Sequence, residues 1–300
     1  MKISLLDSEV SPYQDISLDE DGVDEHSHLT LQCINEDEQT YFQTLDSQIV
    51  KTKKGNIKVA IQGDRNNKGT AMVTLHDIGQ NHVTCFQSYF CYYQIKPLLK
   101  HFTIYHINFP GQEENAKDLP EDYEYPTMEE MSDVVREVTD YFDLKKMIGF
   151  GVGAGANVLA RLALKAPQLV DCLILVNGNS GVATWSEWGY EKMCSHYLKT
   201  AGMTTFVQDY FVYHYFGKVD EKTKIDLVDL VHDQLQRIRS PKNLGLFIES
   251  YSKRDALKMN RSGVAGQPSG STTSIKCGVL VITGDHSPAV DETVNLNRVG

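Results

Sequence analysis

Three glycines at alternate positions, Gly151, Gly153 and Gly155, lie in MIGFGVGAGANVLARLALKAP between Met147 and Pro167. The stretch reads as a short buried strand (Met147 to Phe150), a turn of small residues, and a helix that Pro167 ends. That is the layout of a nucleophile elbow, G-x-S-x-G, where a sharp strand-to-helix turn lifts a reactive side chain above a sheet. The reactive position here is Gly153. Glycine tolerates the left-handed backbone of such a turn because it lacks a Cβ, and so it has nothing with which to attack.

A hydrolase built on this turn also needs a base, an acid to orient it, and donors for the oxyanion. The acid register after the late strand is Gly284-Asp285-His286-Ser287, which puts Ser287 at the acid position and Asp285 two residues away. The base should follow a further strand and helix, yet the last histidine, His286, sits in the acid loop. His76-Asp77-Ile78-Gly79 stands where an oxyanion loop belongs, with Asp77 where a glycine is expected. A carboxylate there opposes a developing negative charge. The plainer role of His76 and Asp77 is to hydrogen-bond the loop and hold its shape. The expectation is therefore no hydrolase: a vacant nucleophile at Gly153, a vacant acid at Ser287 and no base. A hydroxyl, thiol or carboxylate brought to the Gly153 position against an imidazole would overturn it.

Other chemistries have weaker footing. Gly151-Val152-Gly153-Ala154-Gly155-Ala156 also fits G-x-G-x-x-A, the dinucleotide fingerprint, but the next strand ends Leu175-Val176-Asn177-Gly178 without the required acid. No cofactor is expected. His82, His101, His106 and His214 lie among aromatics and read as packed or surface residues; no Cys/His spacing suits a metal. Cys85 and Cys91 read as buried structural thiols. Trp185, Trp188 and Tyr190 form an aromatic cluster that lines a pocket, faces a partner or packs in the core.

Several elements must position these residues. Gln48 to Lys53 and Asn56 to Gln62 flank a Lys54-Gly55 turn as a hairpin. Apolar runs at Ala71 to Leu75, Phe102 to Ile107, Met147 to Phe150 and Cys172 to Val176 alternate with helical patterns. The first helix is an aromatic one from about Thr84 to Lys100. The second opens on a Thr127/Glu130 capping box and carries an apolar face through Val138. That order predicts an α/β fold, a mostly parallel sheet with helices on both faces. Residues 183–260 hold only helical runs, about Trp185 to Tyr197, Val207 to Phe216, Lys222 to Arg239 and Asn243 to Tyr251. They form an insertion where α/β-hydrolases carry a cap. Residues 261–274 are a Gly/Ser/Thr-rich loop, and the sheet resumes at Cys277 to Thr283.

The net charge of −11 is uneven. Residues 1–50 hold twelve Asp/Glu against one Lys, whereas residues 51–300 hold 28 of each sign. The division expected is an acidic, disordered arm over 1–47 and an electrically neutral domain over 48–300. A neutral body argues against nucleic acid as partner. No apolar run approaches a membrane span, and six cysteines without paired spacing suit a reducing, cytoplasmic setting.

HDIGQNHVTCF, PGQEENA, LPEDYEYPTMEEM, IGFGVGAGANVLARLALKAP and LILVNGNSGVATWSEW together resemble the N-myc downstream-regulated (NDRG) family over roughly residues 70–260, with a further fit at CGVLVITGDHSPAVDE. The resemblance implies an α/β-hydrolase fold with a helical cap and no hydrolase activity. It also implies a cytoplasmic protein tied to signalling, differentiation, growth control, stress responses or vesicle traffic through protein partners. Its vacant positions fall on Gly153 and Ser287. Candidate partner or pocket residues are His76, Asp77, Gly153 and Asp285 at the mouth, with Trp185 and Trp188 on the cap. Two alternatives stand beside this: an unusual hydrolase or lyase using Asp285 or His76, and a small-ligand or lipid sensor. Against the family pattern, the fold's last strand and helix are missing, so an open sheet edge and marginal stability are expected.

Overall fold

The computed structural model describes residues 2–5, 42–65, 69–92, 94–218, 224–259 and 274–299. Residues 1 and 6–41 of the arm expected to be disordered, and all of the Gly/Ser/Thr-rich loop except Ser274, fall outside the described residues, whereas residues 2–5 and 42–47 of that arm are ordered.

Eight strands form one sheet: β1 (Lys2–Leu5), β2 (Asp46–Thr52), β3 (Gly55–Gln62), β4 (Thr70–Leu75), β5 (Phe102–Ile107), β6 (Met147–Val152), β7 (Val170–Val176) and β8 (Gly278–Thr283). Their spatial order is β1-β8-β7-β6-β4-β5-β3-β2. Strands β4 to β8 run parallel, while the β2–β3 hairpin and β1 join antiparallel. The chain moves outward from β4 to β5 and then returns to β6 on the other side of β4. The order therefore reverses between β4 and β6, where an open α/β sheet leaves a crevice at its carboxyl ends.

Alternation along the strands sorts two cores. On one face Met72, Ile104 and Phe150 meet Phe86 and Phe90 of α1 (His82–Phe90), and Phe42 joins them from the expected arm. On the other, Val73, Leu75, Leu173 and Leu175 meet α3 (Met128–Tyr141) and α4 (Ala154–Lys165). The α3 face is the predicted one, with Met128, Met131, Val134, Val135 and Val138 buried, and its Thr127/Glu130 capping box is formed. The single aromatic helix expected over Thr84 to Lys100 is instead two. Helix α1 stops at a Cys91 cap, and α2 (Lys96–Leu99) starts afresh around Pro97, whose ring cannot continue the preceding turn.

The insertion after β7 comprises α5 (Trp185–Thr200), α6 (Thr205–Phe216), α7 (Lys224–Gln236) and α8 (Pro241–Ser252), close to the expected spans. Helix α9 (Val290–Val299) follows β8. The sheet edge expected to lie open beyond β8 is covered: Lys2 to Leu5 pair with Thr283 to Leu280. The backbone groups of an edge strand are satisfied by any extended segment of suitable register, and the amino-terminal one supplies it here. The expectation of marginal stability loses its basis at that edge.

Candidate functional site

Strands β4 and β6 are neighbours, with Leu75 opposite Gly151, so the His76–Gly79 loop and the glycine turn lie side by side at the switch point. Gly155 permits that approach, since a Cβ on it would come 2.1 Å from the Leu75 carbonyl oxygen. Gly153 has φ +52°, ψ −112°, the left-handed backbone of an elbow. A Cβ there would fall 2.0 Å from Asp77 Oδ1. The nucleophile position is thus occupied by another residue's carboxylate.

Asp77 is held by donors that an oxyanion would use. Ala154 N–H, of the residue after the elbow position, donates to Oδ1 at 2.9 Å, and Ile78 N–H donates to the same oxygen at 2.8 Å. Those two amides correspond to the oxyanion-hole pair of this kind of site, one after the nucleophile and one from the loop opposite. Gly153 offers α4 no side-chain cap, so the Asp77 carboxylate also serves as the cap of that helix from across the crevice. The carboxylate whose charge was expected to oppose an oxyanion takes its place.

The second oxygen faces the cap. His214 Nε2 lies 2.9 Å from Asp77 Oδ2, with the imidazole about one-fifth exposed and the carboxylate nearly buried. Burial alone would raise the Asp77 carboxyl, but the charge of His214, its hydrogen bond and the two amides outweigh it and hold the group below the ordinary range. Burial likewise works to lower His214, and Asp77, then Glu191 and Glu187, outweigh that and raise it. Both partners shift toward an imidazolium–carboxylate pair. Around it Tyr215 Oη donates to the Ile78 carbonyl at 2.7 Å, and Phe211 packs so closely on Gly79 that a Cβ there would be 2.5 Å from its ring.

His214 was read from sequence as a packing or surface residue; it is the imidazole of this site. The signal was present in helical spacing. Val207, Phe211, His214 and Tyr215 follow i, i+4, i+7, i+8, one face of α6, so the histidine lies on the apolar stripe that docks on the body. A carboxylate thus stands at the Gly153 position against an imidazole, an arrangement contrary to the expected vacancy. In chemistry the carboxylate is bound at both oxygens, which leaves it a poor nucleophile and a poor base.

The other candidates are dispersed. His76 is fully buried: its Nδ1–H donates to the Asp77 carbonyl at 2.8 Å and its Nε2 accepts from Phe109 N–H at 3.0 Å. Desolvation lowers it to about 4, so it is neutral, and both ring nitrogens are engaged by backbone groups of the two strand-end loops. Asp285 is exposed on the β8–α9 turn and, among the described residues, makes no hydrogen bond or ion pair with Asp77 or His214. Ser287 is buried, and its Oγ accepts from Ala289 N–H at 3.2 Å, which places it at the start of α9 as a turn former. Cys85 lies close to Asp77, and burial pushes its thiol up and out of reactivity. Trp185 is 89% exposed and stands edge-on to Trp188, over whose ring Lys192 Nζ sits at 5.3 Å. They lie on the outer side of α5, not at the mouth. Among the described residues no cluster of metal-ligating side chains occurs, and no helix is long and apolar enough to cross a membrane.

The Ndr family profile matches residues 47–299. The chain belongs to the Ndr family. Its relatives include protein NDRG3 of Xenopus laevis, 36% identical over 86% of this chain and 67% of that protein. Protein NDRG1 of Xenopus tropicalis is 33% identical over 83% and 60% respectively. This Ndr chain therefore spans about two thirds of its relatives' length. Among solved structures it resembles a thermophilic esterase from Thermogutta terrifontis (TM-score 0.61, 15% identity, 85% of this chain and 86% of that one). An enol-lactonase from Burkholderia xenovorans gives a TM-score of 0.58 at 14% identity, covering 84% and 95%. These likenesses show an α/β-hydrolase fold.

Proposed function

We propose that this Ndr protein is a non-enzymatic α/β-hydrolase-fold module that binds protein partners in cytoplasmic signalling, differentiation, growth control or stress response. The observation that carries the non-enzymatic part is the Asp77 carboxylate, which fills the space of the nucleophile and takes both amide donors of the oxyanion hole. A substrate carbonyl has neither an attacking group nor a vacant hole to enter. The partner-facing part is supported by the cap. Both tryptophans of the chain are exposed on α5, beside a groove of about 400 Å³ lined by Met193, His196, Tyr197, Lys199 and Glu249. Exposed Trp and Tyr next to a groove are the residue types that anchor protein interfaces.

A broad panel of esters, thioesters and epoxides tests the first part: no saturable turnover is expected. Proximity labelling with wild type and a Trp185→Ala/Trp188→Ala variant tests the second, and an unchanged partner set removes the α5 surface from consideration. A second reading has one observation in its favour, the contact between the Asp77 carboxylate and the His214 imidazole. Turnover abolished by both Asp77→Asn and His214→Gln would establish that pair as an active dyad.

A further inference from the structure

Helix α6 meets the body through an ion pair, and the cap side of that pair is unusually rich in buried titratable groups. Glu191 of α5 is fully buried; the Tyr210 hydroxyl donates to its Oε1 at the long distance of 3.5 Å, and its Oε2 has no hydrogen-bond partner among the described residues. Tyr210 stacks on His214, their ring centroids 5.8 Å apart. From α5 come Glu191, Glu187 and Cys194; from α8 and the turn after it come Tyr251 and Arg254; from the body come Asp77 and, beside Tyr215, Cys85. Arg254 is committed to Glu187, 2.8 Å away, and lies over the Tyr251 ring, so it does not reach Glu191 by a hydrogen bond.

We propose that His214 and Asp77 form a proton-dependent latch that holds the α6 side of the cap over the elbow, with buried Glu191 as a second proton-bearing part of the same device. With His214 charged, the cap bears the counter-ion of a carboxylate buried in the body. When His214 loses its proton, Asp77 keeps its two amides but loses its charged partner, and α6 is held by its apolar stripe of Val207 and Phe211 and by the Tyr215 hydrogen bond. Glu191 acts in the same net direction, because the cost of burying its charge outweighs its attraction to His214. Its carboxyl, pushed up to about 8 by burial and Glu187, is neutral at neutral pH. Ionised, it is a buried charge without a hydrogen-bond donor for Oε2, which favours any arrangement that admits water between α5 and α6. Both groups have raised folded values, so both hold the cap closed on the acid side of neutrality and release it as the pH rises. The latch stands on the geometry of the pair whether or not the site turns a substrate over.

Hydrogen exchange of the full chain tests it, corrected for intrinsic rates, with residues 205–216 of α6 compared with residues 128–141 of α3. Between about pH 6.5 and pH 9, protection of α6 is expected to fall roughly tenfold relative to α3. His214→Gln, which retains a hydrogen bond to Asp77 but no charge, should lose most of that dependence, and His214→Gln/Glu191→Gln should be flat. Constant protection in wild type, or an unchanged profile in His214→Gln, overturns the latch. An NMR titration of the His214 ring in wild type needs no variant. A midpoint above the ordinary histidine value supports the proposal, and a ring already neutral at pH 6.5 rules it out.

Discussion

The two halves of the site handle histidine in opposite ways. In the body, His76, His82 and His106 are buried without a carboxylate hydrogen-bond partner among the described residues; His82 stacks on Phe42, and His76 and His106 pack edge-on or tilted against Phe42, Phe86, Phe90 and Phe109. Desolvation lowers His76 and His82 to about 4 and His106 well below its usual value, so all three serve as neutral hydrogen-bonding rings. His106 Nδ1 pairs with Thr74 Oγ1 at 2.8 Å and His82 Nδ1 lies 3.1 Å from Asn108 Oδ1. In the cap, His214 is as closely packed against Tyr210, Phe211 and Tyr215, yet it is raised because one carboxylate stands 2.9 Å away. Aromatic surroundings do not set the state of a histidine. The balance between desolvation and a carboxylate in direct hydrogen-bond contact does.

Changes at the charged half should break this contrast most severely. Asp77→Ala leaves the Ile78 and Ala154 amides without an acceptor and His214 without a counter-ion, and should cost about 3–5 kcal/mol in denaturant unfolding. Asp77→Asn, which keeps an acceptor for the amides, should cost less. If the two are equal, the amides do not matter.

Acid should act on the neutral half. The folded values of His76, His82 and His106 are depressed, so their contribution is complete above about pH 6.5 and is lost as the pH falls below it, toward 4 for His76 and His82. Unfolding at pH 5 should show a loss on the order of 5 kcal/mol relative to pH 7, about 2 kcal/mol from each ring. His106→Gln should flatten that slope, whereas His214→Gln should not.

His214→Gln at neutral pH should cost about 1–2 kcal/mol, since a neutral hydrogen bond replaces a charge-assisted one at a partly exposed site. The smallest effect is expected at Trp185. With its ring almost entirely in solvent, Trp185→Ala should change stability by less than about 0.5 kcal/mol, so any loss of partner capture reports on binding rather than folding. A marked drop in melting temperature would place that ring against something in the fold.

The periodicities of strand and helix, the Thr127/Glu130 capping box and the Gly151–Gly153–Gly155 turn are local properties. Each follows from the spacing of a few residues, and each was legible in the chain. The break near Pro97 was also local, and a proline between two helical patterns should have divided them. The absent nucleophile at Gly153 needed nothing beyond the motif. Its replacement could not be read that way. Asp77 and Gly153 are 76 positions apart and His214 is farther along still, and they meet because β4 and β6 are adjacent while α6 folds back over both. Sequence fixes which groups a chain possesses and the local backbone that carries them. Only the packed structure decides which charge lies nearest to which ring, because Coulomb and desolvation energies depend on distance and burial in space, and separation along the chain sets neither.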